Sequence, residues 1–372
     1  MRRVAVTSIA VAAVVALAGA AQAAPQYNII DLGVSPGGTA SQGNRGSSNG
    51  VYATGRSLGG SNQAFSWTQG GGLLSLPNLA SPARNFSVGN GVNNNGVIVG
   101  TGSTTSFGSS PLPLMWSGGV ASQLPLPAGQ TLGRANDIND LGVAVGSVNG
   151  GSLEVASLYA GGIGTTITAT TSTGCFFRTA FSINNAGTVV GFGVDPNNAA
   201  RNVGIIYDSE SNTMTEVGAL PGMNGALAFD VSENGFIVGS SMLNQGSGQP
   251  FIWSAGVMTQ IPLPVGASQA GARGVNNSGW VVGTASSAFA LPYLYDGVST
   301  YLLGDLIPGG TGWNLTTNTS SSAMSISNDG VIIGTGILNG QVHAYAMIPV
   351  PTPGAIGLFA TAGLSGLRRR RR

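Results

Sequence analysis

One motif recurs along this 372-residue chain and leaves few folds open to it. Each copy has an apolar residue, an Asn- or Ser-led pair, one further residue, Gly, three mostly apolar residues and a closing Gly. Clear copies span 92–100, 138–146, 183–191, 231–239, 275–283 and 326–334, and a degenerate one spans 48–55. The closing glycines fall at 55, 100, 146, 191, 239, 283 and 334. Self-similarity at a spacing of about 46 residues marks a repeat architecture.

Asn, Asp and Gly tolerate the positive φ of tight hairpin turns. The motif therefore reads as the turn between two strands, A and B, with the Val/Ile run as strand B. A loop rich in Gly, Ser and Asn follows. Strand C ends on an aromatic, as in Phe65-Ser66-Trp67, Leu114-Met115-Trp116 and Tyr293-Leu294-Tyr295. A tight turn leads to strand D, as at 73–77 and 258–264. Four strands in about 40–50 residues is the size of a propeller blade. After the last motif only one strand remains, at 343–347, while residues 27–33 at the other end read like a D strand. The pattern predicts an all-β fold, a seven-bladed β-propeller over 24–349. Its N-terminal strand is expected to complete the last blade and cover open edges. The degenerate first copy leaves six or eight blades as alternatives. An open β-solenoid would give the split last repeat no purpose.

The two ends read as addresses. Residues 1–23 have the form of a helical signal peptide. Arg2 and Arg3 precede an apolar run, and Ala21 and Ala23 supply a small-residue cleavage site. Residues 350–372 carry Pro351-Thr352-Pro353, an uncharged stretch to Leu367, and then Arg368, Arg369, Arg370, Arg371 and Arg372. The apolar stretch just reaches the length of a C-terminal transmembrane helix, and the arginines would stay on the cytoplasmic side. This three-part ending resembles the PEP-CTERM sorting signal of bacterial surface proteins, with Thr352 where that family has Glu. The resemblance implies processing by signal peptidase and an exosortase-like enzyme. The protein would be exported, transiently tethered to the inner membrane, then delivered to the cell surface or extracellular matrix. The repeats also resemble the extracellular HAF-repeat family. His343-Ala344-Tyr345 and Gln63-Ala64-Phe65 match its name-giving strand, and 183–191 matches its Ile-Asn-x-x-Gly-x-Val-Val-Gly segment. That likeness implies an exported repeat protein and assigns no activity.

Composition narrows the chemistry. Only 7% of residues are charged, none is Lys, and there is one Cys, Cys175, and one His, His343. A disulfide framework needs pairs of cysteines, and a zinc site needs several Cys, His or carboxylate ligands. Seven of the 14 arginines lie in the end segments, which leaves the body seven against 13 acids and no basic surface for nucleic acid. The Asn/Asp turns read as structure rather than as Ca²⁺ ligands. No metal and no cofactor are expected, and Cys175 and His343 read as packing residues.

In a propeller the A–B and C–D turns share one face, and the long B–C and D–A loops share the other. Asp140, Asp208, Glu210, Glu233, Asp296 and Asp329 fall in the tight turns, and the seven body arginines fall towards the long-loop face. Arg45, Arg84, Arg134, Arg178 and Arg273 lie in D–A loops or early in strand A, so they are expected to ring the channel mouth. Guanidinium groups pair with oxyanions bidentately. With Trp313 as an exposed aromatic, these five are the candidate ligand-binding residues, suited to an acidic extracellular polysaccharide. The expectation is an exported, non-enzymatic propeller that binds or spaces something. The alternative is an exported carbohydrate-active enzyme, a glycoside hydrolase or lyase, with Asp137 and Asp230 as its channel-side carboxylates.

Overall fold

A computed structural model describes residues 24–351, apart from 60–61, 106–107 and 152. The segment holding Ala21 and Ala23, and the tail from Thr352 and Pro353 to Arg372, lie outside the described residues. Among the described residues no helix is long and apolar enough to cross a membrane.

Seven antiparallel sheets follow one another along the chain as blades. In blade 3 the strands run in sequence order: Leu132–Ile138 innermost, then Ala144–Asn149, Glu154–Ala160 and Ile163–Thr166. The innermost strands of blades 1 and 2 are Ala40–Gly46 and Phe86–Val92. Those of blades 4 to 7 are Phe176–Ile183, Gly225–Val231, Gln269–Val275 and Ser322–Ile326. Blade 7 takes its outer strand from the other end of the chain. Tyr27–Asp31 pairs with Gln341–Pro349, Tyr27 opposite Pro349 and Asp31 opposite Tyr345. The ring is thus closed by main-chain hydrogen bonds. A further two-residue strand, Trp313–Asn314, pairs with the far end of Ile332–Leu338.

Apolar packing lies between blades rather than at one centre. Seven buried clusters fill the seven interfaces. Between blades 3 and 4, for instance, Val145, Ala156 and Ile167 meet Cys175, Phe177 and Ile205. The aromatics near the ends of the C strands belong here: Phe65, Trp116, Phe251, Tyr293 and Tyr345 are almost wholly buried. Each such side chain contributes about 1.5–3 kcal/mol by leaving water.

The closing glycine of the motif has a steric cause. Every innermost strand carries a β-bulge near its middle, for example between Ala135 and Asp137. The bulge drives a main-chain carbonyl against the neighbouring strand. A Cβ on Gly146 would lie 1.9 Å from the Arg134 oxygen. The other six closing glycines meet the equivalent carbonyl at 1.9 to 2.1 Å.

The turn residues join the blades. Asn139 Oδ1 accepts the Val143 N–H at 2.9 Å, and its Nδ2 donates to the Asn184 carbonyl of the next blade at 3.0 Å. Asn93, Asn184 and Asn276 make the same bond across their own interfaces. The following residue accepts from the blade before it. Asn94 N–H donates to Asp140, Asp140 to Asn185, Asn185 to Glu233, Glu233 to Asn277 and Asn277 to Asn328. Asn328 N–H donates to Ser48 O, and Asn49 N–H donates to Asn94, which completes the circle.

Candidate functional site

The same bulges build the channel. One extra residue per innermost strand projects to the axis on the long-loop side: Asn44, Asn90, Asn136, Phe181, Phe229, Arg273 and Met324. With Arg45 they line an axial cup of about 320 Å³. On one side of this ring the amides hook blade to blade. Asn44 Nδ2 donates to Gly89 O, Asn90 to Ala135 O and Asn136 to Ala180 O, at 2.8 to 2.9 Å. On the other side rings take over. Phe181 packs on Phe229 with centroids 5.5 Å apart, and the Arg273 guanidinium lies over Phe229 at 4.1 Å. Phe229, Arg273 and Met324 also line a groove of about 620 Å³ crossing blades 5 to 7.

Beneath the cup the next residues of four bulges, Arg45, Asp137, Ser182 and Asp230, meet at the axis, and there Arg45 plugs the channel. Its Nη2 stands 3.0 Å from Asp137 Oδ2 and 2.7 Å from Asp230 Oδ1. The Ser182 hydroxyl sits 2.8 Å from each of the same two carboxylates. Asp137 also accepts the Ile183 N–H, and Asp230 the Val275 N–H. Burial works against the Arg45 charge, but Asp137 and Asp230 outweigh it and hold the guanidinium firmly protonated. Burial pushes the Asp137 carboxyl up, with Asp230 adding to it against the pull of Arg45 and the hydrogen bonds.

The expected arginine ring is corrected by this geometry. Arg45 and Arg273 reach the axis; the others do not. Arg84 is buried, its Nη1 donating to Ala83 O at 2.9 Å. Arg134 lines a separate cavity of about 250 Å³ together with Glu154. Arg178 faces Glu154 at 3.8 Å. Arg134 and Arg178 lie within innermost strands, but pleat and bulge send their side chains elsewhere, and Arg84 precedes its strand. Trp313 is no exposed platform: it is half-buried, edge-on to Tyr345 at a centroid distance of 5.8 Å. The pairing of Trp313 with Leu338 fixes it there. His343 Nδ1 meets Asp31 Oδ1 at 2.9 Å across the closing strands. Cys175 is buried beside Thr173 and Glu216.

Asn44, Asn90, Asn136, Phe181, Phe229 and Met324 were not legible as site residues from spacing alone. A signal exists: each stands three places before the first turn residue of its repeat, the register that Arg273 shares.

No protein-family model matches the sequence, and no curated protein matches it. Solved structures do. An oligogalacturonate lyase in complex with manganese is similar with a TM-score of 0.53 at 13% identity, over 88% of this chain and 94% of that one. An oligogalacturonate lyase from Vibrio parahaemolyticus gives 0.50 at 11% identity, over 88% and 97%. A puromycin hydrolase mutant gives 0.48 at 12% identity, over 82% and 53%. At such identities the likeness is one of fold. It nevertheless corrects the expectation of a non-enzymatic module, because similar propellers that span nearly the same length are enzymes. Among the described residues no three His, Cys, Asp or Glu side chains come together as a metal ion needs, so the manganese of that lyase is not carried over.

Proposed function

We propose that the protein is a carbohydrate-active enzyme of the cell exterior whose substrate is held at the long-loop end of the channel. The observation that carries this reading is the axial cup. Two phenylalanine rings, three amides and two guanidinium groups converge in one concavity. Sugars present apolar C–H faces to rings and hydroxyls to amides, and sites for such ligands combine an apolar wall with a few fixed polar groups. With an N–H of each amide engaged by the neighbouring blade, Asn44, Asn90 and Asn136 keep their oxygens for a sugar hydroxyl. The fold likeness to an oligogalacturonate lyase supports the class.

Cleavage of a glycosidic bond by hydrolysis calls for two carboxylates in one pocket, one of them protonated. Asp137 and Asp230 have that relation, since both bind the Ser182 hydroxyl and burial favours a proton on Asp137. Arg45 roofs the pair, so sugar reaches them only where that side chain swings aside. β-Elimination would instead use a cation against the sugar's own carboxylate, and Arg273 stands where it can serve. Purified protein incubated with neutral and acidic polysaccharides separates the two. New reducing ends without an unsaturated product mark hydrolysis, and an unsaturated product marks elimination. Failure to bind or cut any glycan in the panel would overturn the reading.

Export belongs to the same proposal. Residues 1–23 would be removed by signal peptidase, and the tail from Pro351 would be sorted by an exosortase-like enzyme. Mass spectrometry of secreted protein should find Ala24 at the N-terminus and no arginine block at the C-terminus. An intact tail on surface-delivered protein would contradict the sorting step.

A further inference from the structure

Arg273 differs from the other arginines of the body. Arg45, Arg178 and Arg201 stand against carboxylates, and Arg84 is buried on main chain. Among the described residues no acid is in ion-pair contact with Arg273. The residue is exposed on the whole, and its guanidinium rests on the Phe229 ring. A ring face holds a cation without neutralising it, and stacking leaves the planar N–H edge free for a bidentate anion.

The surroundings give the anion a shape. Arg273 stands at the junction of the axial cup and the groove across blades 5 to 7, lining both. In the groove it is the single ionisable side chain; the polar remainder is hydroxyl and amide, including Ser240, Gln269, Thr284 and Thr319. In the cup the other charge, Arg45, is already matched by two carboxylates. Cup and groove together are of a size to take a ligand larger than one sugar ring. A small inorganic anion would leave the neutral hydroxyl wall without a role.

We propose that the ligand of this end is an oligosaccharide of acidic sugars. One carboxylate pairs with Arg273, that sugar sits in the cup beside the Phe181–Phe229 pair, and its neighbours run out along the groove. This rests on the carbohydrate reading above and adds to it the substrate's charge, its minimum length and the residue that selects it.

The test titrates the full chain with galacturonate oligomers of increasing length, and with the matching neutral galactose oligomers, by calorimetry. Wild type should prefer the acidic series by at least about tenfold, the worth of a charge-assisted hydrogen-bonded pair. Affinity should rise with length beyond one unit and fall with added salt. Arg273→Gln should abolish the acidic preference, and Arg273→Lys should restore part of it. Arg56→Gln, which removes the same charge from a side chain bonded to Gln42, should leave the preference intact. Equal binding of both series by wild type would overturn this inference and leave the carbohydrate reading standing. Binding of neither series would overturn this inference, and would overturn the carbohydrate reading too where every other glycan of the panel also fails. Acidic preference with no dependence on length would overturn the groove's part.

Discussion

At the residue scale, two glycines four places apart in one repeat act for different reasons. Gly142 has φ +80° with open space around it, so Gly142→Ala meets only the left-handed backbone cost. That is about 1–2 kcal/mol. Gly146→Ala would set a methyl 1.9 Å from the Arg134 carbonyl, which is held in the sheet. It should cost at least ~3 kcal/mol, beyond ordinary overpacking. Urea midpoints of the two variants check the order, and equal losses would refute the steric account of the closing glycine. Arg45 makes a sharper case. Arg45→Met leaves Asp137 and Asp230 buried without their cation and should cost about 3–5 kcal/mol near neutral pH. A carboxyl whose folded value is raised stabilises while protonated, and that contribution is lost as pH rises through it. Asp137 is already pushed up, and losing Arg45 pushes it further. The deficit of Arg45→Met should therefore shrink as pH falls into the carboxylate range. Adding Asp137→Asn should recover part of it at neutral pH.

At the scale of the element, the Asn turn is a joint between blades as much as a hairpin. Asn139 is buried, closes its own turn with Oδ1 and reaches Asn184 with Nδ2. Asn139→Ala strands a donor and an acceptor and should cost ~2–4 kcal/mol. Asn139→Asp keeps the bond from Val143 but faces a carboxylate to the Asn184 carbonyl. It should be destabilised at neutral pH and recover in acid, where the protonated oxygen can donate. Stability measured against pH distinguishes the two variants. The hairpin itself was legible, because Asn, Asp and Gly announce it. The joint was not, because its partner lies one repeat away and no local rule pairs them. The innermost strand shows the same limit. Its register suggested that Asp137 and Asp230 face the channel, and they do. A single bulged residue, however, decides which side chain points to the axis, and alternation alone assigns Arg134 and Arg178 wrongly.

At the scale of the molecule, the ring is closed without a covalent link. Tyr27–Asp31 supplies the last strand, and Tyr27 and Leu32 are buried in doing so. Deleting residues 24–32 exposes partners of both side chains, a loss of ~3–6 kcal/mol from apolar burial alone. Denaturant unfolding of the deletion should show a lower midpoint, and a synthetic peptide of 24–32 should restore it in trans. An unchanged midpoint would mean that closure is not what holds blade 7.

Repeat length, turn positions and the closing strand were determined by the sequence itself, and the structure settled the blade number at seven. They follow from local rules: which residues turn the chain, which alternate, and where a repeat is cut. Which arginines share a site was decided only by the tertiary structure. Arg45 meets Asp137 and Asp230 from blades 3 and 5, and Arg273 meets Phe229 from blade 5. Those contacts exist because seven bulged strands converge on one axis, and convergence is a property of the closed ring that no single repeat contains.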